Sequence, residues 1–286
     1  MSALDDLVGL LDLEQLEVNL FRGDSLDRDR VRIYGGQVLA QALMAAGRTV
    51  EPDRSVHSMH AYFLKLGDPH IPVVFDVDRI RDGRSFTTRR VVAIQHGQAI
   101  FNLAASFHVR EEGPEHFDRM PDVPAPEALP AMERLPDDEP ETIDRKGAPQ
   151  IVDALDFRHV GGQWSPPHEH RGAGRDPDQD TWFRVRGRLP DDPLLHACIV
   201  AYASDLTLLG TATLPHPLAE DESLMMASLD HVMWFHRPFR ADDWLLYHVH
   251  SPSAGAGRGF AQGQLFCANG TLAVSVAQEG LVRMIH

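Results

Sequence analysis

The chain contains one sequence pattern twice, and this internal repeat limits the folds that it can adopt. The segment Ala227–Phe239 has an apolar, aromatic centre with a hydroxyl and two histidines, and Ser55–Phe63 has a similar pattern. When Phe63 is placed on Phe235, an offset of 172 residues, the match continues downstream into a shared Gly-Arg-x-Phe pattern. Self-similarity at a fixed distance indicates a structural unit that is present twice. The chain is therefore predicted to fold as two similar halves.

Each half is predicted to contain two short strands, one buried helix and four antiparallel strands. The helices, at Gln37–Arg48 and Leu194–Leu209, are apolar on nearly every face, so each should be enclosed by other elements. The strand patterns include Arg30–Tyr34 before the first helix and Ser228–Pro238 after the second. A helix that is apolar all round needs a sheet curved around it, and this order of elements supplies one in each half.

The length and the distribution of proline divide the chain into two domains and a linker. With 286 residues, there is room for two domains that each bury a core. Eleven of the twenty prolines fall between Glu111 and Asp180, mixed with acidic residues, which indicates a connecting segment. We predict a first domain at residues 1–115, a linker at residues 116–147 and a second domain at residues 148–286.

The composition argues against several classes of protein. A formal charge of −15 argues against nucleic-acid binding, because phosphates require a basic surface. No apolar run approaches the ~20 residues that span a bilayer, and the acidic N-terminus lacks the basic start of a signal peptide. The two cysteines, Cys198 and Cys267, suit a reducing compartment. The sequence therefore predicts a cytoplasmic protein without membrane insertion.

The sequence lacks the common catalytic motifs. It has no Gly-x-Ser-x-Gly elbow, phosphate-binding loop or dinucleotide fingerprint. His57 and His60 lie at an odd spacing on a predicted strand, which sends them to opposite faces. His168 and His170 have no partners at metal-ligand spacing, and Cys198 lies on an apolar helix, which favours a core position. We therefore expect neither a metal site nor a cysteine nucleophile.

Asp205 is the polar residue that packing explains least. It follows the apolar run Cys198–Ala203 in a helix that should be enclosed by sheet. Burying a carboxylate without partners is costly, so Asp205 needs hydrogen-bond donors or a functional reason. The alternative is that it emerges at the solvent end of the helix. Ser228, at the start of a strand, and Gln278, within one, are weak signals by themselves, and the pattern leaves their roles open.

Motifs along nearly the whole chain resemble those of the bacterial acyl-CoA thioesterase II family. In the first half they are Leu20-Phe21-Arg22-Gly23, Gly35-Gly36-Gln37-Val38, Tyr62-Phe63-Leu64 and Arg81-Asp82-Gly83. In the second half they are Tyr202-Ala203-Ser204-Asp205-Leu206, Met233-Trp234-Phe235-His236-Arg237-Pro238-Phe239 and Gln278-Glu279-Gly280. The resemblance implies an α+β fold of two tandem hotdog domains, each a curved antiparallel sheet wrapped round a buried central helix.

The resemblance also implies an activity, the hydrolysis of acyl-CoA thioesters to free fatty acid and CoA. Asp205, Ser228 and Gln278 match the family's catalytic aspartate, hydroxyl residue and glutamine, and serine stands where threonine is also common. These residue types predict attack by water, with Asp205 as general base and with Ser228 and Gln278 holding the water by hydrogen bonds. CoA is part of the substrate, so no cofactor is expected.

Three further residues are assigned to the oxyanion and the substrate. Ala197, near the start of the helix that carries Asp205, is predicted to supply an N–H group to the oxyanion. His57 is placed near the mouth of the acyl tunnel, and Arg258, in a glycine-rich segment, is placed near the substrate.

The two halves are expected to be unequal. Sequence offsets carry the three catalytic positions back to apolar residues of the first half, Val56, Ala46 and Ala105. A single catalytic centre per chain, built from the second half, is therefore predicted. Two other functions are considered, a non-catalytic acyl-CoA binding protein and a hotdog enoyl-CoA hydratase. The hydratase requires a histidine about five residues beyond its aspartate, where this chain has Gly210. A homo-oligomer, either a dimer or a tetramer, is left open.

Overall fold

A computed structural model describes residues 2–26, 31–131, 153–161, 174–218 and 222–285. Its helices are α1 (Ala3–Leu11), α2 (Gly35–Gly47) and α3 (Pro193–Ser204), with short 3-10 helices at Pro126–Ala128 and Leu209–Thr213. The strands of the first half are β1 (Glu14–Glu17), β2 (Leu20–Gly23), β3 (Arg54–Phe63), β4 (Val73–Asp82), β5 (Phe86–Gln95) and β6 (Gln98–Val109). Those of the second half are β7 (Leu155–His159), β8 (Asp178–Val185), β9 (Ser223–Ser228), β10 (Asp230–Phe235), β11 (Leu245–Gly255), β12 (Arg258–Cys267) and β13 (Leu272–Ile285).

The strands form one antiparallel sheet whose order is nearly symmetric about its centre. The order is β1-β2-β4-β5-β6-β3-β10-β13-β12-β11-β8-β7, and β9 pairs with β13 beside β10. The order in the first half is therefore reversed in the second, as the sequence repeat predicts. The halves join where β3 pairs with β10, with Met59 opposite Met233. Because backbone hydrogen bonds cross this join, the two halves share one continuous sheet.

The two central helices pack against each other in opposite directions, and glycines bring them close. A Cβ atom on Gly36, at the start of α2, would lie 2.6 Å from the carbonyl oxygen of Tyr202, at the end of α3. A Cβ atom on Gly47, at the end of α2, would lie 2.4 Å from Leu194, at the start of α3. Both helices are buried along most of their length, and one apolar core includes residues of both halves. The end of each helix is therefore held at the start of the other.

Several predicted elements differ from the observed ones in their boundaries. Residues 31–34 of the predicted strand Arg30–Tyr34 are not a strand, and the two strands before α2 are the hairpin of β1 and β2. The helix predicted at Leu194–Leu209 ends at Ser204, because the N–H of Asp205 bonds to Ala203 and not to Ala201. Periodicity reports which residues are buried, but it does not report where backbone hydrogen bonding changes.

The strand predicted at Ser228–Pro238 is two strands, interrupted at Leu229. The N–H of Leu229 donates to Glu279 at 3.0 Å, and its carbonyl accepts from Phe63 at 2.9 Å. In the first half, β3 has a register shift between Val56 and Ser58, the positions that match Ser228 and Asp230 at the offset of 172 residues. The repeat therefore preserves an irregularity in the strand as well as the strand itself.

The beginning of the predicted linker is ordered against the second half. Asp118 accepts a hydrogen bond from Gln264 at 2.8 Å, and the carbonyl of Pro124 accepts one from the Trp182 indole at 3.0 Å. Farther along, Arg158 donates to the carbonyl of Leu129 at 2.8 Å. The rest of the predicted linker lies outside the described residues, so the three domain boundaries stay predictions.

One apolar stretch is long enough to span a membrane, so the prediction that no run approaches this length was wrong. Residues Pro193–Thr213, which include α3, form 21 residues with a mean hydropathy of 1.4, long and apolar enough to cross a membrane. In the folded chain, α3 is buried and packs against α2. The apolar character of this stretch therefore matches a core helix, as the symmetric fold requires.

A substitution in the first half should lower the stability that is measured in the second half. Phe75, on β4, is completely buried, and Phe75→Ala is expected to cost about 3–5 kcal/mol through lost burial and a cavity. All four tryptophans lie after residue 160, so tryptophan fluorescence reports on the second half. Because the sheet and core are shared, the fluorescence midpoint in urea should fall. Ile80→Ala, at an exposed position on the same strand, is the control, and an unchanged midpoint in Phe75→Ala would show that the halves unfold independently.

Candidate active site

The three residues predicted to be catalytic meet at one buried carboxyl group. Asp205 directly follows α3, and its side chain is only 4% exposed. The Nε2 group of Gln278, on β13, donates to Oδ1 of Asp205 at 2.6 Å. The Ser228 hydroxyl, on β9, donates to the same oxygen at 3.3 Å. The alternative in which Asp205 emerges into solvent is therefore wrong.

The pairing of β9 with β13 explains why these side chains converge. Ser228 lies opposite Gly280, and Gln278 is two residues before Gly280, so Gln278 and Gly280 face the same side of the sheet. A Cβ atom on Gly280 would lie 2.3 Å from the side chain of Leu209. The missing side chain lets the segment after α3 approach the sheet, next to Gln278, which is fully buried.

The first half contributes the start of α2 to the same site. The backbone N–H of Gly36 lies close enough to the Asp205 carboxylate to lower its pKa, and a Cβ atom on Gly35 would lie 2.8 Å from its Oδ2. The residue before α2, Tyr34, makes no side-chain capping hydrogen bond to this helix. The first N–H groups of a helix lack intrahelical partners, and they carry partial positive charge. The site therefore lies between the two halves, whereas the sequence analysis assigned it to the second half alone.

Burial makes Asp205 a stronger base than an ordinary aspartate. Its removal from water raises its pKa from 3.8 to about 6. Hydrogen bonds from Gln278 and Ser228 oppose this rise, as do the nearby N–H of Gly36 and the positive charge of Arg32. Arg32 itself donates to the carbonyl of Met226, on β9, at 3.2 Å. A carboxyl group with this pKa is mostly ionised at pH 7 and still accepts a proton readily.

Side chains from other elements complete the end of α3 and fix the position of Asp205. The Ser204 hydroxyl donates to the carbonyl of Ala201 at 3.0 Å. The Tyr34 hydroxyl donates to the carbonyl of Tyr202 at 2.8 Å, and the Tyr247 hydroxyl donates to that of Ser204 at 3.3 Å. The last carbonyls of a helix have no intrahelical donors and are costly to bury without partners. These three hydroxyls make a buried helix end possible directly before the carboxylate.

His231 is a further residue at the site, and it was not among the residues predicted from the sequence. This residue lies on β10 and is fully buried, and its Nδ1 atom is 3.7 Å from Oδ1 of Asp205. Burial lowers the pKa of His231 to about 3, so the imidazole is neutral at physiological pH. His231 belongs to the repeated segment that reveals the two halves. The sequence does mark it as unusual, because the matching residue of the first half, Met59, is not polar.

The prediction that Ala197 supplies an oxyanion N–H does not agree with the structure. Ala197 lies eight residues before Asp205, about 12 Å along the helix, whereas the start of α2 lies against the carboxylate. The start of α3 is also capped, because the Asp192 side chain accepts hydrogen bonds from the N–H groups of Leu194 and Leu195 at 2.9 and 3.3 Å. The helix start that lies against the carboxylate belongs to α2, not to the helix that carries Asp205.

His57 and Arg258 are not brought to the Asp205 carboxyl group. His57 forms a hydrogen bond with Ser106 at 2.8 Å and lies edge-on to Phe86. Arg258 forms an ion pair with Glu279 at 2.9 Å, and both side chains are largely exposed. Glu279 is next to Gln278 along β13, so its side chain points to the opposite face of the sheet. The places predicted for His57 near the mouth of the acyl tunnel and for Arg258 near the substrate stay predictions.

Cys198 is completely buried, and burial raises its thiol pKa well above the usual range. It therefore occupies the core position that was expected. Among the described residues, no group of three or more His, Cys, Asp or Glu side chains is arranged to hold a metal ion. His168 and His170 lie outside the described residues.

The matched positions of the first half cannot form a second site of this kind. In the first half, Val56 lies opposite Phe107, and Ala105, which lies opposite Met59, is two residues before Phe107. In the second half, Ser228 lies opposite Gly280, and Gln278 is two residues before Gly280. This register matches Val56 with Ser228 and Ala105 with Gln278, as the sequence offsets predict. When the first residue of α2 is aligned with the first residue of α3, Asp205 aligns with Gly47, one residue after the predicted Ala46. All of these counterparts lack a polar side chain.

Replacing the carboxyl group should stabilise the folded protein at neutral pH. Because folding raises the pKa of Asp205 from 3.8 to about 6, the folded state binds more protons than the unfolded state in this window. The ionised carboxylate therefore costs stability above pH 6, and the cost disappears as the pH falls below 4. Asp205→Asn should increase the free energy of unfolding by about 2–3 kcal/mol at pH 7 and by about zero at pH 4.

Urea denaturation of both proteins at pH 4, 5, 6 and 7 tests this expectation. Asp53→Asn, which changes an exposed carboxylate, is the control and should show no comparable trend. A difference between Asp205→Asn and the native protein that did not change with pH would contradict the raised pKa.

Comparisons with known proteins identify the family of this chain. The profile of the acyl-CoA thioesterase family matches residues 161–281, and that of the acyl-CoA thioesterase N-terminal domain matches residues 25–108. Acyl-coenzyme A thioesterase 8 of Mus musculus is 42% identical over 97% of this chain and 89% of its own length. Acyl-CoA thioesterase 2 of Haemophilus influenzae is 38% identical over 98% of each chain.

Solved structures confirm the predicted fold. The crystal structure of the acyl-CoA thioesterase II TesB2 from Mycobacterium marinum superposes with a TM-score of 0.80 at 47% identity, covering 97% of this chain and 98% of that one. A hot dog fold protein from Alicyclobacillus acidocaldarius superposes with a TM-score of 0.76 at 18% identity over 97% and 98% of the two chains. The chain has the α+β fold of tandem hotdog domains, and it belongs to the acyl-CoA thioesterase II family.

Proposed function

We propose that this protein hydrolyses acyl-CoA thioesters to a free fatty acid and CoA, with a water molecule activated by Asp205. The observation that carries the proposal is the buried carboxylate with a pKa of about 6, which accepts hydrogen bonds from both Ser228 and Gln278. Its place in the acyl-CoA thioesterase family supports the class of substrate.

Asp205 would remove a proton from water as the water attacks the thioester carbonyl carbon. The two donors on Oδ1 fix the orientation of the carboxylate, so that its basic lone pairs point in a constant direction. The Oε1 atom of Gln278 is buried, and no described residue donates to it. This oxygen is an acceptor for the second hydrogen of the attacking water. The hydroxyl oxygen of Ser228 also has lone pairs to offer to that water.

The start of α2 would stabilise the negative charge that forms on the carbonyl oxygen. Backbone N–H groups at a helix start are fixed donors, and the helix dipole places partial positive charge there. In this structure the Gly36 N–H faces Asp205, so a thioester bound against Gly35 and Gly36 lies between the base and the donor. When the tetrahedral intermediate collapses, the CoA thiolate leaves and takes up the proton that Asp205 accepted.

One catalytic centre per chain is part of this proposal. The base comes from the second half and the oxyanion donor from the first. Where the end of α2 meets the start of α3, Gly47 occupies the position that matches the base. The proposal also retains a cytoplasmic location and acyl-CoA as the partner, with no cofactor, no nucleic acid and no membrane insertion. The oligomeric state, a dimer or a tetramer, is left open.

The two alternative functions are less well supported. A non-catalytic acyl-CoA binding protein would have Asp205, Ser228 and Gln278 farther apart than a water molecule can bridge. Here both partners lie within 3.3 Å of the carboxylate. A hydratase needs a second acid-base group after the aspartate. Position 210 is glycine, within the short 3-10 helix at Leu209–Thr213.

Asp205→Asn is expected to fold and to lose most of its activity. An amide cannot take a proton from water, and a general base typically contributes about 10²–10⁴-fold to the rate. Release of free thiol from acyl-CoA esters of graded chain length measures the loss, and circular dichroism checks the fold. Asp53→Asn is the matched control and should retain full activity. Hydrolysis at the native rate by Asp205→Asn would refute water activation, and a large residual activity that depended on residues 1–110 would refute a single centre.

At position 228, the hydroxyl group should affect activity more than the size of the side chain does. Ser228→Thr keeps the oxygen and should stay active, whereas Ser228→Ala removes one hydrogen bond to Asp205 and one contact with the water, and it should reduce kcat by about tenfold or more. The same thiol-release assay compares the two variants. Equal rates in both would mean that the oxygen of Ser228 has no role in catalysis.

A further inference from the structure

His231 is a buried polar residue beside the base, and the fold does not require it. The side chain is completely buried, and burying an imidazole is unfavourable unless its nitrogens find partners. The register of the two halves matches His231 with Met59, which is also completely buried. The same place in the same fold is therefore filled by an apolar residue in the half without the base. This contrast points to a role in the site and not in packing.

The hydrogen bonds at the end of α3 determine which nitrogen of His231 carries the hydrogen. The carbonyl of Ala201 lacks its usual helical donor, because the N–H of Asp205 bonds to Ala203. The Ser204 hydroxyl supplies the missing donor at 3.0 Å, and a hydroxyl has a single hydrogen. The carbonyl of Ala201 is a stronger acceptor for this hydrogen than the Met233 sulfur, 3.8 Å away, so the Ser204 oxygen accepts from Nε2 of His231, 2.9 Å away. The imidazole is neutral, so its hydrogen is on Nε2, and Nδ1 has a free lone pair.

That lone pair faces the base. Nδ1 has no hydrogen-bond partner among the described residues and lies 3.7 Å from Oδ1 of Asp205. An acceptor beside a carboxylate disfavours the ionised form and favours the protonated form, whose O–H can donate to it. The other charged or titratable groups toward Asp205 are Arg32, before α2, and the phenol of Tyr247, on β11. Burial raises the pKa of Tyr247 well above its usual value, so its phenol is neutral at pH 7. Of these two groups, only Arg32 carries a charge.

We propose that His231 is a positioning residue that sets the basicity of Asp205, because its Nδ1 atom accepts a hydrogen bond from the carboxyl group once Asp205 has taken the proton of the attacking water. The inference rests on the proposed role of Asp205 as the base. The proton moves from water to Asp205, stays there in a hydrogen bond to Nδ1, and passes to the departing thiolate sulfur. His231 is not itself protonated, which agrees with a pKa lowered to about 3 by burial. Ser204 maintains the required tautomer.

The pH dependence of kcat/KM tests the proposal in the full-length protein. In the native enzyme the activity should rise with pH through the pKa of Asp205, near 6. In Ser204→Ala, Nε2 loses its acceptor, so the hydrogen moves to Nδ1 and donates to the carboxylate. A charge-assisted hydrogen bond of this kind should shift the acid limb downward by about one pH unit or more. His231→Met, which places there the residue of the first half, should also shift the limb downward.

Thr211→Ala is the matched control. Thr211 is equally buried, and its hydroxyl also bonds to a main-chain carbonyl, that of Thr207, but it does not contact His231. The control should lose comparable stability without a shift of the acid limb. An acid limb that stays near pH 6 in both Ser204→Ala and His231→Met would overturn the proposal.

Nitrogen NMR of ¹⁵N-histidine-labelled protein tests the tautomer without an activity measurement. The difference between spectra of the native protein and His231→Met identifies the His231 signals. A protonated Nε2 and an unprotonated Nδ1 are expected at pH 7, and the opposite assignment would overturn the proposal. The proposed function fails separately, if Asp205→Asn keeps its thioesterase activity, whatever tautomer His231 adopts.

Discussion

The candidate site depends on a carboxylate held between the ends of two antiparallel helices. Asp205 follows the last residue of α3, at the end where the helix dipole is negative and unfavourable for an anion. The start of α2, where the dipole is positive, lies against the same carboxylate through Gly36. Burial raises the pKa of Asp205, and the donors of α2, β9 and β13 prevent a larger rise. The result is a carboxylate that is ionised at neutral pH but remains basic.

This constraint explains several features that packing alone leaves unexplained. Gly35 and Gly36 have no side chain because any Cβ atom would meet Asp205 or the end of α3. Tyr34 reaches across from the first half to the carbonyl of Tyr202, so the residue that precedes one helix completes the other. Arg32, two residues earlier, binds the β9 strand that carries Ser228. A short segment of the first half thus shapes the surroundings of a base that belongs to the second.

The duplication gives the fold two similar helix junctions, and only one of them is suited to chemistry. At the other junction, Asp192 caps the start of α3 with its own side chain, and Leu194 packs against Gly47. The N–H groups that could receive an oxyanion are occupied there by the Asp192 carboxylate, and Gly47 stands at the position that matches Asp205. In the proposed mechanism the first half supplies the oxyanion donor and the second supplies the base, and one continuous sheet joins them. Each half lacks what the other provides, which accounts for the retention of both.

The sequence by itself determined the repeat, the type and order of the main elements and the enclosed helices, because burial periodicity and the spacing of the repeat are local properties of the chain. The resemblance to a family singled out Asp205, Ser228 and Gln278, which the structure brings together. Only the tertiary structure decided which helix start faces the carboxylate. Ala197 was a reasonable expectation from proximity along the chain, but the antiparallel packing of α2 and α3 places Gly36 there instead. His231 likewise gained its place beside Asp205 from the pairing of β10 with β13, since strand register brings together residues that are far apart in sequence.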